Sequence, residues 1–456
     1  MNYHNFLSNK RQCSGNGGFT PSFLPDELFD FQKMLCDWSI RKGRAAIFAD
    51  CGLGKTFIQL VWAENVVRKT NGRILILTPL AVSYQTKREA DKFGIDAAVC
   101  RDGKVDSLSS KIVITNYERL HYFNPNDFSG CVCDESSILK NFTGATKSAV
   151  TEFLRTLEYR LLCTATPSPN DYIELGTSSE ALGELGFMEM ISRFFKKSIR
   201  TWTRREEFQP GAYTFRGHAE KDFWRWVCSW ARAVRKPSDM GCSDKNYILP
   251  KLQINEHIIE ALTLPEGWLF AVPAVGLQEQ RAERSRTVNE RCETAAKIAN
   301  NEPDPVVVWC HLNKEGDMLE KLIPDSIQVA GKDSDEKKEE AFRLFQDGEI
   351  RVIISKPTIA GFGVNWQHCA HQTFFPSHSF EQWYQSVRRS WRFGQKRPVQ
   401  VDVIATEGDK NVMNNLRRKQ NKADAMMDNL VSMMTQALTI KPKPYGTKKE
   451  EVPLWL

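Results

Sequence analysis

Short, largely unbroken apolar runs punctuate the first third of the chain: Ala45–Ala49, Ile74–Thr78, Ile112–Thr115, Cys131–Cys133 and Arg160–Cys163. A run of that kind is the pattern of a strand covered on both faces. Longer segments of helical character separate the runs, and strands alternating with helices predict βαβ units around a parallel sheet. The same pattern returns at Val306–Cys310, Ile327–Ala330, Arg351–Ser355, Gln372–Phe375 and Val399–Ile404. Two separate α/β parallel-sheet lobes are therefore predicted, joined by a middle of different character.

The pattern also sets expected boundaries: a polar, Gly-rich and flexible lead-in over 1–20, a first lobe over 21–175, a helical connector over 176–250 and a second lobe over 251–420. A helix over Asn421–Ala437 with a loose tail would complete residues 421–456. A chain of 456 residues fits this division, at roughly 100–200 residues per domain, and is long enough to bury a core in each lobe. The formal net charge of +6 is too mild to imply a polyanionic partner, so the placement of charge matters more. Between Phe187 and Lys236 stand twelve Lys or Arg against five Asp or Glu. Trp202, Trp224, Trp226 and Trp230 are interleaved with them. Cations with aromatic rings suit a nucleic-acid surface, where charge meets phosphate and rings stack on bases. Phe223, Trp226, Val227, Trp230 and Val234 also follow helical spacing, which places those rings in a core instead.

None of the twelve cysteines pairs in a C-x-x-C spacing. Cys131 and Cys133, two apart on a strand, read as ordinary buried thiols. The first residues lack the apolar stretch of a secretion signal, and no apolar run approaches the roughly 18 residues of a membrane span. The expectation is a cytoplasmic chain with reduced thiols and no membrane partner.

Ala49-Asp-Cys-Gly-Leu-Gly-Lys-Thr56 follows one of the predicted strands and precedes a helical run. A phosphate-binding loop needs that order: glycines let backbone N–H groups close around the phosphates, at a helix N-terminus whose dipole favours anions. Cys51, Gly52, Leu53 and Gly54 would form the cradle, Lys55 would reach the β- and γ-phosphates and Thr56 would ligate Mg²⁺. Ala49 stands where the general pattern has Gly. Asp134 and Glu135 end another predicted strand, at the tip where a parallel sheet presents catalytic groups. Asp134 would hold Mg²⁺, while Glu135 would orient and deprotonate an attacking water.

ADCGLGKT (49–56), DESSILKN (134–141) and TATP (164–167) occur in the order found in superfamily-two helicases, and their details resemble the SWI/SNF-type remodeller ATPases. LILTPLAVSYQTKREADKF (75–93) and VITNYERL (113–120) resemble that family's next nucleic-acid motifs. In the second half, GFGVNWQ (361–367) resembles the motif that couples ATP to DNA, and QSVRRSWRFGQ (385–395) resembles the arginine-finger motif. The resemblance covers residues 28 to 405. It implies two RecA-like lobes with ATP and Mg²⁺ between them.

The resemblance also carries residue roles. Gln32 looks like the adenine-reading glutamine. Arg389 and Arg392, three apart and so on one helical face, would neutralise charge on the γ-phosphate. Arg388, Lys396 and Arg397 read instead as a solvated or DNA-facing basic face. Thr164, Thr166, Gly361, Gly363, Asn365 and Gln385 match coupling positions. Thr78, Pro79, Asn116 and Tyr117 match contacts to the sugar-phosphate backbone, which carry no sequence preference. The acidic box departs from the family in reading Asp-Glu-Ser-Ser, and Arg388 and Trp391 are unusual in the finger motif. The family's large inserts look shortened and no histone-reading module is visible, which points to a compact bacterial or phage member rather than a nucleosome remodeller.

The implied activity is DNA-dependent ATP hydrolysis coupled to translocation along duplex DNA. A strand-separating helicase shares nearly every motif. An ATP-switched scaffold that recruits a nuclease or replication partner is the alternative from another class, and no nuclease, methyltransferase or zinc signature is present.

Overall fold

The structure, a computed structural model, describes residues 17–80, 82–197, 213–245, 247–259, 277–361 and 364–439. Most of the expected lead-in, Trp202, Gly363 and the tail beyond 439 lie outside the described residues.

Each predicted run is a strand. β1 (Arg44–Ala49), β2 (Arg73–Thr78), β3 (Ala97–Val99), β4 (Ile112–Asn116), β5 (Phe128–Asp134) and β6 (Tyr159–Thr164) build a first sheet. A two-stranded antiparallel hairpin follows, β7 (Phe195–Lys197) with β8 (Tyr213–Phe215). The next strand, β9 (Ala231–Val234), returns to the first sheet beside β1. The order is β3-β4-β2-β5-β6-β1-β9, parallel throughout. Two helices matter most to the site: α1 (Asp30–Lys42) and α2 (Lys55–Thr70), the latter packed over β5 and β6. The second sheet holds β10 (Leu252–Ile259), β11 (Val306–Trp309), β12 (Ser326–Val329), β13 (Val352–Ser355), β14 (His371–Phe374) and β15 (Val399–Thr406). Its order is β10-β15-β14-β11-β13-β12, again all parallel. The two-lobe α/β architecture expected from the hydrophobic pattern is thus present.

The middle divides differently from expectation. Helix α3 (Ala219–Trp230) buries Phe223, Trp224, Val227 and Trp230, and Trp230 sets its ring edge-on to Phe48 of β1. With β9 hydrogen-bonded to β1, residues 219–234 complete the first lobe rather than forming part of a separate connector. The physical reason is coverage: β1 would otherwise leave an apolar edge unpaired beside Trp230. Of the interleaved rings, Trp224 and Trp230 are core and Trp226 is partly buried, which favours the core reading of that spacing.

The second lobe presents helix α4 (Phe380–Ser390) to the first. The C-terminal helix, α5 (Lys410–Thr439), is longer than the expected Asn421–Ala437. It starts on the second lobe, where Met413 joins that core, and ends on the first, where Met426, Met427, Leu430 and Met434 pack into the other. Among the described residues no helix is long and apolar enough to cross a membrane. The described cysteines are all unpaired, with Cys131 and Cys133 buried.

Candidate active site

Parallel strands lying side by side present their C-terminal ends along one crevice. Here β5, β6 and β1 are neighbours, in a register that pairs Asp134 with Cys163 and Thr164 with Phe48. The acid pair, the TATP segment and the 49–56 loop therefore emerge together.

Gly52 and Gly54 have φ of 85° and 78°, conformations that cost L-residues with a side chain. They turn the chain from β1 into α2, with Gly54 as the N-cap and Lys55 as the first helical residue. A Cβ on Gly54 would lie 2.3 Å from Gln32 Nε2. Gln32 is buried on α1; its Nε2 donates to Leu53 O at 2.9 Å and its Oε1 accepts from Phe29 N at 3.0 Å. Expected as a base reader, Gln32 here holds the loop at Leu53 with one end of its amide and caps the start of α1 at Phe29 with the other. Lys55 Nζ donates to Ala49 O at 3.0 Å. Burial opposes its charge, but Cys51, Glu135, Asp134 and Asp50 outweigh burial and lift its pKa above the ordinary value.

Asp134 is buried and accepts from Gln59 Nε2 at 2.6 Å. Burial, then the charge of Glu135, push its carboxyl up to about 6 against the opposing pull of Gln59 and Lys55. Two carboxylates so placed share the single charge of Lys55, and a divalent cation would supply the rest. Thr56 is half-buried at the first turn of α2, so Asp134 and Thr56 fit the Mg²⁺ role assigned to them. Glu135 has φ 49° and ψ 53°, a left-handed conformation that costs about 1–3 kcal/mol outside Gly. Strain of this kind collects at functional sites. Its Oε2 accepts from Thr164 Oγ1 at 3.1 Å and from Gln385 Nε2 of the second lobe at 3.4 Å. Thr166 N in turn donates to Thr164 Oγ1 at 3.0 Å, so three of the expected coupling residues form one chain of bonds ending on Glu135.

Helix α4 lays a polar stripe across the cleft at positions i, i+3, i+4 and i+7, which share one helical face. Glu381 pairs with Lys140, Tyr384 bonds Asp50, Gln385 reaches Glu135, and Arg388 pairs with Asp50. Arg388, expected on a solvated or DNA-facing face, is instead buried and bound to the phosphate loop. Lys396 and Arg397 are exposed as expected. The two finger arginines differ. Arg389 is occupied within its own lobe, donating to Gln385 O at 2.8 Å, Gln385 Oε1 at 2.7 Å and Val364 O at 3.1 Å. Arg392 keeps a buried Nε without a partner; burial, then the charge of Arg389, brings its pKa down to about 10. Arg392 is the arginine still available to an anion.

Asn365 also has a buried, unpartnered side-chain oxygen, while Gly361 fits tightly against Pro357 O. The expected backbone contacts sort unevenly. Thr78, Asn116 and Tyr117 are buried: Thr78 and Asn116 both bond Ser83, and Tyr117 Oη donates to Asp134 O at 2.7 Å. Their side chains brace the strand ends instead of facing solvent, as the apolar setting of β2 and β4 requires them to find internal partners. Pro79 is the member that lines open space, with its neighbour Leu80, in a cavity of about 470 Å³ between the lobes that extends to Glu135, Lys140 and Glu381.

Sequence reasoning missed Gln59, Asp50 and Tyr384. Gln59 was findable, four residues beyond Lys55 and so on the same face of α2. Tyr384 stands one turn before Arg388, but no motif marks it.

No family model matches the chain. Among curated proteins, the TATA-binding protein-associated factor MOT1 of Saccharomyces cerevisiae is 28% identical over 178 residues. The match takes in 33% of this chain and spans 9% of the length of that protein. Among solved structures, the chain is similar to the Sulfolobus solfataricus SWI2/SNF2 ATPase core in complex with dsDNA, at 15% identity and a TM-score of 0.40, covering 92% of this chain and 98% of that one.

Proposed function

We propose that this chain is a DNA-dependent ATPase that couples hydrolysis to movement along duplex DNA. The observation that carries the reading is Glu135: a carboxylate on a strained backbone beside the phosphate loop, held from the first lobe by Thr164 and from the second by Gln385. A base that both lobes must position is what lobe-gated hydrolysis requires.

The loop amides and Lys55 bind the phosphates of ATP, and Arg392 adds positive charge from the opposite lobe. Mg²⁺, when held by Thr56 and Asp134, supplies charge neutralisation at the phosphate oxygens. Glu135 takes the proton from the attacking water. The Thr166–Thr164–Glu135–Gln385 chain links that step to the relative position of the lobes. Nucleic acid is assigned to the cavity edge at Pro79 and Leu80, a contact that follows the motif resemblance and reads phosphates rather than bases.

The test is steady-state ATP hydrolysis without nucleic acid and with single-stranded DNA, duplex DNA or RNA, alongside Lys55→Ala. Strong stimulation by duplex that disappears in the variant is the expected result. Stimulation by single strands or RNA alone would replace the translocase with a strand-separating helicase. Turnover equal in all four conditions would remove nucleic acid from the reading.

A further inference from the structure

Asp50 is a negative charge inside a loop built to receive anions, and its surroundings explain how the loop tolerates it. The carboxylate has three hydrogen-bond partners: Cys51 N at 2.6 Å, Tyr384 Oη and an Arg388 guanidinium nitrogen. Only the first belongs to its own lobe. Both ends of the ion pair are buried, with side chains 9% and 6% exposed. The Arg388 guanidinium lies 4.4 Å from the ring centre of Trp391 and 5.3 Å from that of Tyr384. Trp391 is itself tied to the inter-lobe linker, its Nε1 donating to Pro250 O at 2.7 Å.

We infer that Asp50 and Arg388, seated between Tyr384 and Trp391, form a latch through which the second lobe closes on and fixes the phosphate loop. The inference rests on the reading of that loop as the ATP site. Arg388 is a positioning residue in it: it acts through Asp50, and Arg392 is left for the phosphates.

The physics gives the latch a direction. A buried ion pair adds little over an apolar contact, but removing one partner strands the other charge in a dry site. Within one packed core that penalty falls on folding. Here the pair joins two bodies, so opening the cleft returns the stranded charge to water while each lobe stays folded. Loss of either residue therefore shifts the chain towards an open form. Other cross-cleft contacts, among them Lys140 with Glu381, Gln385 with Glu135 and Cys51 with Gln385, remain and keep the shift partial.

The experiment is small-angle X-ray scattering of the full chain without nucleotide for the wild type, Asp50→Asn, Arg388→Gln and the double variant, with Arg388→Lys as the conservative control. The expected result is a larger radius of gyration for each single variant, none further for the double, and recovery towards the wild-type value in Arg388→Lys. In ATP hydrolysis the single variants should lose about tenfold or more in kcat, with KM for ATP changed far less, because the loop amides and Lys55 stay in place. A general packing defect would instead lower the melting temperature and move both parameters. Unchanged scattering in both single variants, or additive expansion in the double, overturns the latch. A wild type that hydrolyses no ATP overturns the site reading and leaves the scattering comparison standing.

Discussion

In the first lobe, Asp134 and Glu135 are held by partners on neighbouring elements of the same lobe, Gln59, Thr164 and Lys55, and one of them carries backbone strain. In the second, Arg389 spends its donors on its own helix and on Val364, while Arg392 keeps a buried nitrogen with no partner. The acidic half of the cleft is thus held largely from within its own lobe. The second lobe reaches the acids through the neutral amide of Gln385 and keeps one cation in reserve. Such an arrangement separates building the site from switching it on.

The sharpest way to break this comparison is to remove the cations singly. Arg392→Ala should lower DNA-stimulated turnover by roughly 10³-fold or more, the scale of a transition-state arginine, with an unchanged melting temperature. Arg389→Ala should lower the melting temperature as well, because it empties three internal bonds. Equal melting temperatures and equal rates in the two variants would erase the distinction drawn between them. Glu135→Gln comes next, with a loss of about 10²–10⁴-fold in turnover; substantial residual hydrolysis would take the base role away from it. Gln385→Ala removes the one bridge from the second lobe to Glu135 and should cost about 10- to 100-fold, the worth of a hydrogen bond to a charged group. A loss confined to the DNA-stimulated rate would place Gln385 in coupling alone.

The smallest effect concerns stability. Asp134 binds its proton more tightly folded than unfolded, since its carboxyl is raised from 3.8 to about 6. Its contribution to stability is therefore greatest below about pH 4 and is lost as pH rises through 6. Asp134→Asn should raise unfolding free energy by about 3 kcal/mol at pH 8, with the gain shrinking to nothing below about pH 3. A flat difference across that range would show that burial and Glu135 do not perturb Asp134.

The central strands were legible because they are covered on both faces and leave short apolar signatures. β9 was not: Ala231-Arg-Ala-Val continues the helical spacing of Trp226 and Trp230, and only its pairing with β1 reveals a strand. β10 alternates exposed positions and carries Ile254 and Ile258 in solvent, so it lacks the two-sided signature of its neighbours. In the site, the loop and the acid pair were visible as local motifs, whereas roles that depend on inter-lobe geometry were not. Arg388 and Arg389 are adjacent and chemically identical, and only the register of α4 sends one to Asp50 and the other to Val364. Thr78, Asn116 and Tyr117 matched a motif but turned inward, since exposure is decided by the packing around Ser83 rather than by residue type.

The second lobe leaves the first after β9 and comes back to it along α5, a helix of 30 residues and so about 45 Å in length. A body carried by one strand of chain can swivel in any direction. Carried at two separated points, like a gate hung from an upper and a lower pin, it swings about the line that joins them and resists sliding or twisting off that line. The 175 residues between Val234 and Lys410 are consequently not free to choose how they meet the phosphate loop: the two pins hold the face of α4 to one approach.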